Sequence, residues 1–306
     1  MTVVRSGRSF GFLVEVQLMP FIARKYAVWM LAPALLLILA FLVTPLIDLL
    51  RYSFLSGDFA TGDVGDITLA NYLHVLSDPY YLGIIGRTFL ISIIVTLVAM
   101  VAGLPLAALI WRVPTFWRSP LTILVLSPLL VSMVASSYGW IVILGNKGVI
   151  NNSLIAMGII SEPIKLLYTN TAIVVGLVHV VLPFMVLSLV ASLDRIEPNL
   201  SEAAAMLGAN RARIWWHVLL PLCIPGIGAG ATLTFALSIS AYVTPAVLGP
   251  SGPNFITTLI YQNFVNLYEW GVGSTLALLL LVSAVIVILA IGLTTSKMGP
   301  ARRAAT

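Results

Sequence analysis

Charge is what this 306-residue sequence has least of. Only 9% of its residues are Asp, Glu, Lys or Arg, whereas 60% are hydrophobic and the mean hydropathy is +1.06. A soluble globular domain carries about 25% charged residues. So few charges cannot cover a water-facing surface. The composition therefore excludes a soluble protein and predicts that lipid surrounds most of the chain.

Cysteine and several catalytic motifs are missing as well. Cys223 is the only cysteine and lies in an apolar run, so an internal disulfide and a disulfide-stabilised secreted scaffold are excluded. We interpret Cys223 as a small buried hydrophobic residue. The sequence has no GxxxxGK[ST] nucleotide-binding motif, no HExxH motif, and no Ser–His pair in the context of a nucleophile. An ATPase and an intramembrane hydrolase are therefore not indicated.

Long apolar runs occupy the chain instead. A helix needs about 20 apolar residues to cross the hydrocarbon core of a bilayer. Six segments qualify, none with Asp, Glu, Lys or Arg in its interior: Ala27–Ile47, Thr88–Trp111, Leu121–Leu144, Thr171–Leu193, Leu222–Leu248 and Val272–Leu293. The period-two alternation of a membrane barrel is absent. The sequence therefore predicts an all-α, polytopic transmembrane bundle of six spans.

The segment before the first span has two interpretations. The span is too long for a signal peptide, and no small-residue cleavage site follows it before Arg51, so we interpret it as a retained helix. Residues 1–25 form a cytoplasmic N-terminal segment, either an amphipathic helix on the inner leaflet or a disordered tail. Residues 26–298 are then the transmembrane domain, and residues 299–306 are a cytoplasmic tail.

Lys and Arg are divided unevenly between the two sets of span ends. One set holds twelve of the sixteen and includes both ends of the chain, whereas the other holds Arg51, Arg87, Lys147 and Lys165. Cytoplasmic loops carry the excess of basic residues. Both termini and the loop of residues 194–221 are therefore predicted to be cytoplasmic.

A polar, alanine-rich loop separates the fourth span from the fifth. Residues 200–221 read LSEAAAMLGANRARIWWHVLLP. Asn199 or Ser201 is expected to cap a helix, with Glu202 in its first turn, where a carboxylate favours the helix dipole. Three successive alanines, residues 203–205, then combine high helix propensity with little side-chain bulk.

The same loop predicts a turn and a second helix. Gly208 follows Leu207 where the chain needs a residue that tolerates positive φ. Asn210 can cap a second short helix, which Pro221 is expected to end as the next span begins. A bare alanine face suits the close approach of another protein. The alternative is an interfacial helix whose Arg and Trp residues bind lipid headgroups, and composition leaves both open.

Four short motifs in and after this loop carry a resemblance to a known family. They are Glu202-Ala203-Ala204, Gly208-Ala209, Val218-Leu219-Leu220-Pro221 and Pro225-Gly226-Ile227. In this order and spacing they resemble the cytoplasmic loop signature of ABC importer permeases. Residues 145–170 and 177–196, with SAYVTPAVLG and ITTLIYQNF, resemble the first permease subunit of spermidine/putrescine transporters.

The resemblance implies a type I ABC importer permease fold in a bacterial inner membrane. It also implies a sister permease subunit, two copies of an ATP-binding subunit that hold the ATP and Mg²⁺, and an external solute-binding protein. This chain would hold no cofactor or metal and would catalyse no reaction. The residues that would couple it to the ATPase are Glu202, Ala203, Ala204, Leu207, Gly208, Ala209 and Arg211.

Polar and aromatic residues inside the spans are candidates for the translocation path, because such groups are costly in lipid. The candidates are Tyr138, Trp140, His179, Ser238, Ser240, Tyr242 and Thr244. Ser and Thr are also ordinary helix-packing residues. His179 lies one turn before Pro183, and we favour a structural role in which it bonds a carbonyl that the proline frees. Gly226 and Gly230 have GxxxG spacing, which predicts a packing face within the chain or against the sister subunit.

The residues before the Val-Thr-Pro of the fifth span depart from the family pattern, and this bears on the substrate class. Many family members carry an acidic residue before the Val-Thr-Pro of the fifth span, whereas Ser240, Ala241 and Tyr242 stand there in this chain. A polyamine is the substrate that the resemblance implies, with the carboxylate supplied by the sister subunit. The alternative is a small solute such as an aminophosphonate or an opine-like compound. A stand-alone channel or ion-coupled transporter is disfavoured, because His179 is the only ionisable His, Asp, Glu, Lys or Arg residue inside a span.

Overall fold

The computed structural model describes residues 10–57 and 65–298, and for residues 10–30, 198, 296 and 298 it describes the main chain alone. The predicted tail 299–306 and the first nine residues of segment 1–25 lie outside the described residues, and the predicted domain boundaries stay predictions. The chain divides into two units, one ending at Tyr52 and the other beginning at Ser53.

Helix α1 (Phe10–Ser53) provides the first unit. It is continuous over 44 residues, so the main chain of residues 10–25 is helical. The part that is long and apolar enough to cross a membrane is Leu31–Ser53, a few residues later than the predicted Ala27–Ile47.

Helices joined by turns and loops also form the second unit, and its described residues contain no strand beyond an isolated antiparallel bridge between Leu55 and Ile67. This confirms the all-α prediction. Short π turns cover Trp215–Leu219 and Gln262–Asn266, and a 3₁₀ turn covers Ser127–Leu130. The α-helices are α2 (Ala70–Ser77), α3 (Pro79–Arg112), α4 (Thr115–Leu126), α5 (Met133–Leu144), α6 (Val149–Ala156), α7 (Asn170–Leu193), α8 (Pro198–Met206), α9 (Arg211–Ile214), α10 (Leu220–Leu222), α11 (Ile224–Ile239), α12 (Val243–Leu248), α13 (Ile256–Tyr261) and α14 (Trp270–Met298).

Six spans are present if each bent helix pair counts as one. Part of α1, all of α3 and α7, and the Trp270–Thr295 part of α14 are each long and apolar enough to cross a membrane. The predicted third and fifth spans are broken. Thr115–Leu130 meets Met133–Ala156 at 97°, and Arg211–Leu222 meets Ile224–Ile239 at 64°. The predicted number of six spans holds when each bent pair counts as one span, and the apolar runs did not show that two of the spans are broken.

The third span breaks at residues 131 and 132, just after the 3₁₀ turn that follows α4 and contains Pro128. Proline has no amide hydrogen to donate to the carbonyl four residues earlier, which belongs to Leu124. The Ser127 amide donates to that carbonyl, and the Ser127 hydroxyl does so as well, over 2.8 Å. The main chain then becomes extended at Ser132 before α5 begins. The Leu124 carbonyl is therefore satisfied just before the direction of the chain changes.

The fifth span ends earlier than predicted, because α11 stops at Ile239 and Val243–Leu248 forms the separate helix α12. Pro245 cannot donate to the Ala241 carbonyl. That carbonyl accepts a hydrogen bond from the Thr257 hydroxyl, over 2.6 Å. The predicted span Leu222–Leu248 is thus two helices, and the break between them is stabilised from α13.

Pro221 does not end the preceding helix, contrary to the sequence-based expectation. The helix continues past Pro221 because the π turn Trp215–Leu219 precedes it. In this turn the Leu220 amide donates to the Trp215 carbonyl. A π turn shifts the hydrogen-bond register by one residue, and this accommodates the proline. The break falls at Cys223, beside Pro225, which cannot donate to the Pro221 carbonyl.

Helix α7 lies at the centre of the second unit and contacts α3, α5, α11 and α12. Its Val181, Met185, Val186 and Leu189 are almost completely buried. The contact with α11 depends on glycine: a Cβ on Gly226 would collide with Ser192, and a Cβ on Gly230 would lie 2.6 Å from the Met185 sulfur. The GxxxG face of α11 therefore packs within this chain.

We expect Gly226→Ala to destabilise the helix packing. The added methyl collides with the Ser192 side chain, and overpacking of a tight contact costs about 1–3 kcal/mol. Gly292→Ala is the matched control, since a Cβ there meets nothing within 4 Å and alanine favours helix. Thermal unfolding of both variants in detergent measures the difference. Equal stabilities would contradict the α7–α11 packing.

Candidate functional site

The loop between the fourth and fifth spans folds as a helix, a turn and a second helix. Helix α8 begins at Pro198, whose fixed φ suits the first helical position, and the Leu200 amide donates to the Glu197 carbonyl. The prediction that Asn199 or Ser201 caps this helix was wrong, because proline starts it earlier. Glu202 consequently lies beyond the first turn, where the helix dipole has little effect on it.

Gly208 ends α8, as its sequence position predicts. Its φ is +83°, in the left-handed region that glycine adopts without strain. The Ala209 amide donates to the Ala204 carbonyl over 3.1 Å, and the Gly208 amide donates to the Ala205 carbonyl over 2.9 Å. These two bonds form a Schellman motif and satisfy carbonyls that the helix end leaves free.

Asn210 begins the second helix, which confirms the predicted cap. Its side-chain oxygen accepts from the Arg213 amide over 2.8 Å. Only one residue separates Gly208 from this cap, and α8 contacts both α9 and the π turn. The two helices are therefore held together as one short unit whose exposed end is the turn.

The exposed surface of this unit is apolar where α8 ends. Met206 is 91% exposed and Leu207 is 88% exposed. Glu202 and Ala203 are exposed on α8, whereas Ala204 and Ala209 are half-buried against the second helix. The predicted coupling residues thus divide into an exposed set and a supporting set. Met206 was missed from the sequence, although its position beside Leu207 at the turn is the signal that identifies it.

Helices α5, α7 and α12 contact one another and bring several candidate path residues together. Trp140 of α5 and His179 of α7 meet edge to face, with ring centroids 5.6 Å apart. Tyr138 on α5 is 60% exposed. Within the described part of the chain, the His179 ring packs against Trp140 and not against a carbonyl freed by Pro183. Helix α7 continues through that proline.

The hydroxyl candidates divide between packing and exposed positions. Ser238 is fully buried and donates to the Thr234 carbonyl of its own helix over 2.6 Å. Thr244 is buried with its methyl group against Gly176 of α7. Ser240 is exposed, although its hydroxyl donates to the Ala236 carbonyl. Ser238 and Thr244 therefore occupy helix-packing positions.

Tyr242 lies beside a cavity that the sequence did not predict. Its ring centroid is 5.0 Å from that of Tyr261, and both rings border a cavity of about 280 Å³. Gln262 and Asn266, from the second π turn, also line it. π turns are frequent at functional sites, but Tyr261 occurs in an ordinary apolar-polar run, so the sequence offers only its aromatic ring as a signal.

Comparison with known proteins identifies relatives for most of the chain. The family model described as binding-protein-dependent transport system inner membrane component matches residues 101–295. The spermidine/putrescine transport system permease protein PotB of Haemophilus influenzae is 33% identical over 238 residues, which cover 78% of this chain and 83% of the relative.

Solved structures share the fold. A chain of a bacterial ABC transporter that imports the acidic polysaccharide alginate has a TM-score of 0.74 at 19% identity, covering 92% of this chain and 99% of its own length. The alginate transporter in complex with its pentasaccharide-bound periplasmic protein gives a TM-score of 0.73 at 20% identity, covering 90% and 96%.

We expect the stability of the turn in Gly208 variants to depend on how well the new residue tolerates positive φ. A Cβ on Gly208 meets nothing within 4 Å, so only backbone strain opposes a side chain. Gly208→Val should destabilise the turn by about 1–2 kcal/mol, whereas Gly208→Asn should be nearly neutral. Hydrogen exchange at the Ala209 amide measures the opening of the turn. Equal exchange in the two variants would contradict the described turn.

Proposed function

We infer the function of this chain from its family, because it belongs to the binding-protein-dependent transport system inner membrane components. These proteins are the permease subunits of ABC importers. The chain is accordingly a multi-pass inner-membrane subunit with the type I permease fold. It is a transport subunit and not an enzyme, since ATP hydrolysis in these systems occurs on a separate subunit.

We propose that α8, the Gly208 turn and α9 dock into a cleft of the ATP-binding subunit. The observation that carries this proposal is the pair of long apolar side chains, Met206 and Leu207, that stand almost fully exposed at the turn. Water solvates such side chains poorly, and a protein cleft would bury them. The excess of basic residues on this side of the spans predicts that the loop is cytoplasmic, where ATP is available.

The proposed assembly contains this chain, a sister permease, two ATP-binding subunits and an external solute-binding protein. ATP and Mg²⁺ bind the two ATP-binding subunits, which close on one another. Their movement carries α8 and α9 inward, and the spans open toward the binding protein. Hydrolysis and release then restore the inward-facing state. In this mechanism Glu202 and Arg211 contact the partner and transmit force without taking part in chemistry.

We propose that the substrate is a polyamine-like solute. It would cross the membrane along a path formed by this chain and the sister permease. The spermidine/putrescine relative supports this class. Aromatic faces in the described spans and near them suit ammonium groups, because a cation over an aromatic ring gains about 0.5–2 kcal/mol. Trp140 and the pair of Tyr242 and Tyr261 offer such faces.

A second substrate class is favoured by one specific observation. Ser240, Ala241 and Tyr242 stand where many family members carry an acidic residue, so this subunit provides no carboxylate there. For a polyamine, the sister permease supplies the negative charge. For an aminophosphonate or an opine-like compound, no such carboxylate is required, since these solutes carry their own acidic groups.

Charged residues at the exposed turn should abolish docking. We expect Met206→Asp with Leu207→Asp to weaken binding of the ATP-binding subunit about thirtyfold or more, since a truncated hot-spot residue costs roughly 2 kcal/mol. The measurement is co-purification of the ATPase together with ATP-driven uptake in proteoliposomes. Insertion into the membrane should be unchanged, because both side chains are exposed.

The matched control is Met157→Asp with Ile159→Asp. Both of these side chains are 64% exposed and lie in the segment predicted to be external. This control should keep the ATPase bound. Normal uptake by the Met206 and Leu207 double variant would contradict the docking role and favour a lipid-bound interfacial helix.

The aromatic ring of Tyr242 should matter more than its hydroxyl if the substrate is a polyamine. We expect Tyr242→Ala to raise the spermidine concentration for half-maximal ATPase stimulation about 2- to 30-fold, while Tyr242→Phe changes it little. The measurement uses the reconstituted complex with its binding protein. Stimulation by an aminophosphonate but not by spermidine would support the second substrate class instead.

A further inference from the structure

An apolar groove with a basic end lies between α3 and the start of the fifth span. The groove has a volume of about 690 Å³. Val101, Leu104, Pro105 and Ala108 line it along α3, so most of its wall is hydrocarbon. Of the residues that line this groove, the functions proposed above use Arg211 alone, since the rest of the docking surface is at the Gly208 turn and the path candidates lie on other helices.

Two arginines line the groove, and Trp215 lies near both of them, since it contacts Arg112 and follows Arg211 by one helical turn. Arg112 is the last residue of α3, and Arg211 is the first residue of α9. Both are exposed. In the described residues, the side-chain salt bridge is between Arg118 and Asp194. It involves neither Arg112 nor Arg211. The end of the groove therefore presents two guanidinium groups that lack a carboxylate partner in the described part of the chain.

The Trp215 ring contacts one of these two arginines. The Arg112 guanidinium carbon lies 5.7 Å from the Trp215 ring centroid, a cation–π distance. Stacking on a ring leaves the N–H groups at the edge of the guanidinium free to donate, and their fork geometry matches phosphate oxygens. Trp216 also lines the groove and is 63% exposed, as is typical of tryptophan at the level of lipid headgroups.

We propose that this groove binds one anionic phospholipid of the inner leaflet. Arg112 and Arg211 hold its phosphate, and the acyl chains lie along Val101, Leu104 and Ala108. Two positive charges at one end of a hydrocarbon-lined groove complement an amphiphile with a negative head and apolar tails. Basic pockets between membrane helices on the cytoplasmic side bind such headgroups. A free phosphate would leave the apolar wall uncovered.

Because of where the groove lies, a bound lipid should affect how the ATPase is coupled to the membrane bundle. Arg211 and Trp215 belong to the helix that follows the Gly208 turn, whereas Arg112 ends α3. A phosphate held between the two arginines therefore joins the second helix of the docking unit to the membrane bundle. We expect the bound lipid to raise the ATPase coupling of the complex, a consequence that rests on the proposed function. The binding itself does not.

The test is native mass spectrometry of the assembled complex with dioleoyl phosphatidylglycerol or dioleoyl phosphatidylcholine. We expect one phosphatidylglycerol to remain bound at concentrations where phosphatidylcholine does not. Arg112→Gln with Arg211→Gln should weaken phosphatidylglycerol binding about thirtyfold, given the contribution of each basic residue near anionic lipid. Arg112→Lys with Arg211→Lys should retain most of the preference, which shows that the loss follows charge and not misfolding.

Two controls separate the groove from general charge effects. Lys147→Gln with Lys165→Gln removes two exposed charges elsewhere and should leave lipid binding unchanged. Ala108→Phe fills the apolar wall without changing charge and should also weaken phosphatidylglycerol binding. Equal binding of the two lipids, or displacement of phosphatidylglycerol by inorganic phosphate alone, would overturn the proposal. Loss of the lipid when the sister subunit assembles would overturn it too, because the subunit would then fill the groove.

Discussion

A main-chain carbonyl without a partner costs several kcal/mol in hydrocarbon, and the breaks in this bundle depend on that constraint. Pro245 removes the amide that would bond Ala241, and the Thr257 hydroxyl takes its place. Beside the break in the third span, a serine hydroxyl adds to the hydrogen bond that a main-chain amide makes to the same carbonyl. At these two breaks a side chain therefore helps to satisfy the backbone, and the helices can turn there without exposing an unbonded carbonyl to lipid.

Local features could be predicted from the sequence, whereas bends could not. The Gly208 turn and the Asn210 cap were correct, because each depends on the backbone preference of one residue. The positions of the prolines did not show where the helices bend. Pro183 lies inside the continuous helix α7, where it is buried, but Pro128 lies in the 3₁₀ turn just before a bend of 97°. The two prolines differ in tertiary contacts, since α7 is packed against α3 and α11.

The candidate path shows the same limit. The polar residues of the spans were identified from their cost in lipid, but the sequence could not show which of them face a partner. Trp140 meets His179, and Tyr242 meets Tyr261, through contacts between helices that are separated along the chain. Ser238 bonds its own helix instead. The fold, and not residue type, decides which polar groups are available to a solute.

The glycine contacts of α11 determine how movement can pass through the membrane. Gly226 and Gly230 bring the α11 backbone into close contact with α7, against the Ser192 and Met185 side chains. Helices α7 and α11 should therefore shift as one rigid body. Rotation is left to the hinges at either end of α11, at Cys223 and at Ser240. A displacement of the cytoplasmic loop would thus be transmitted along α11 to the region beside Tyr242 with little loss of amplitude.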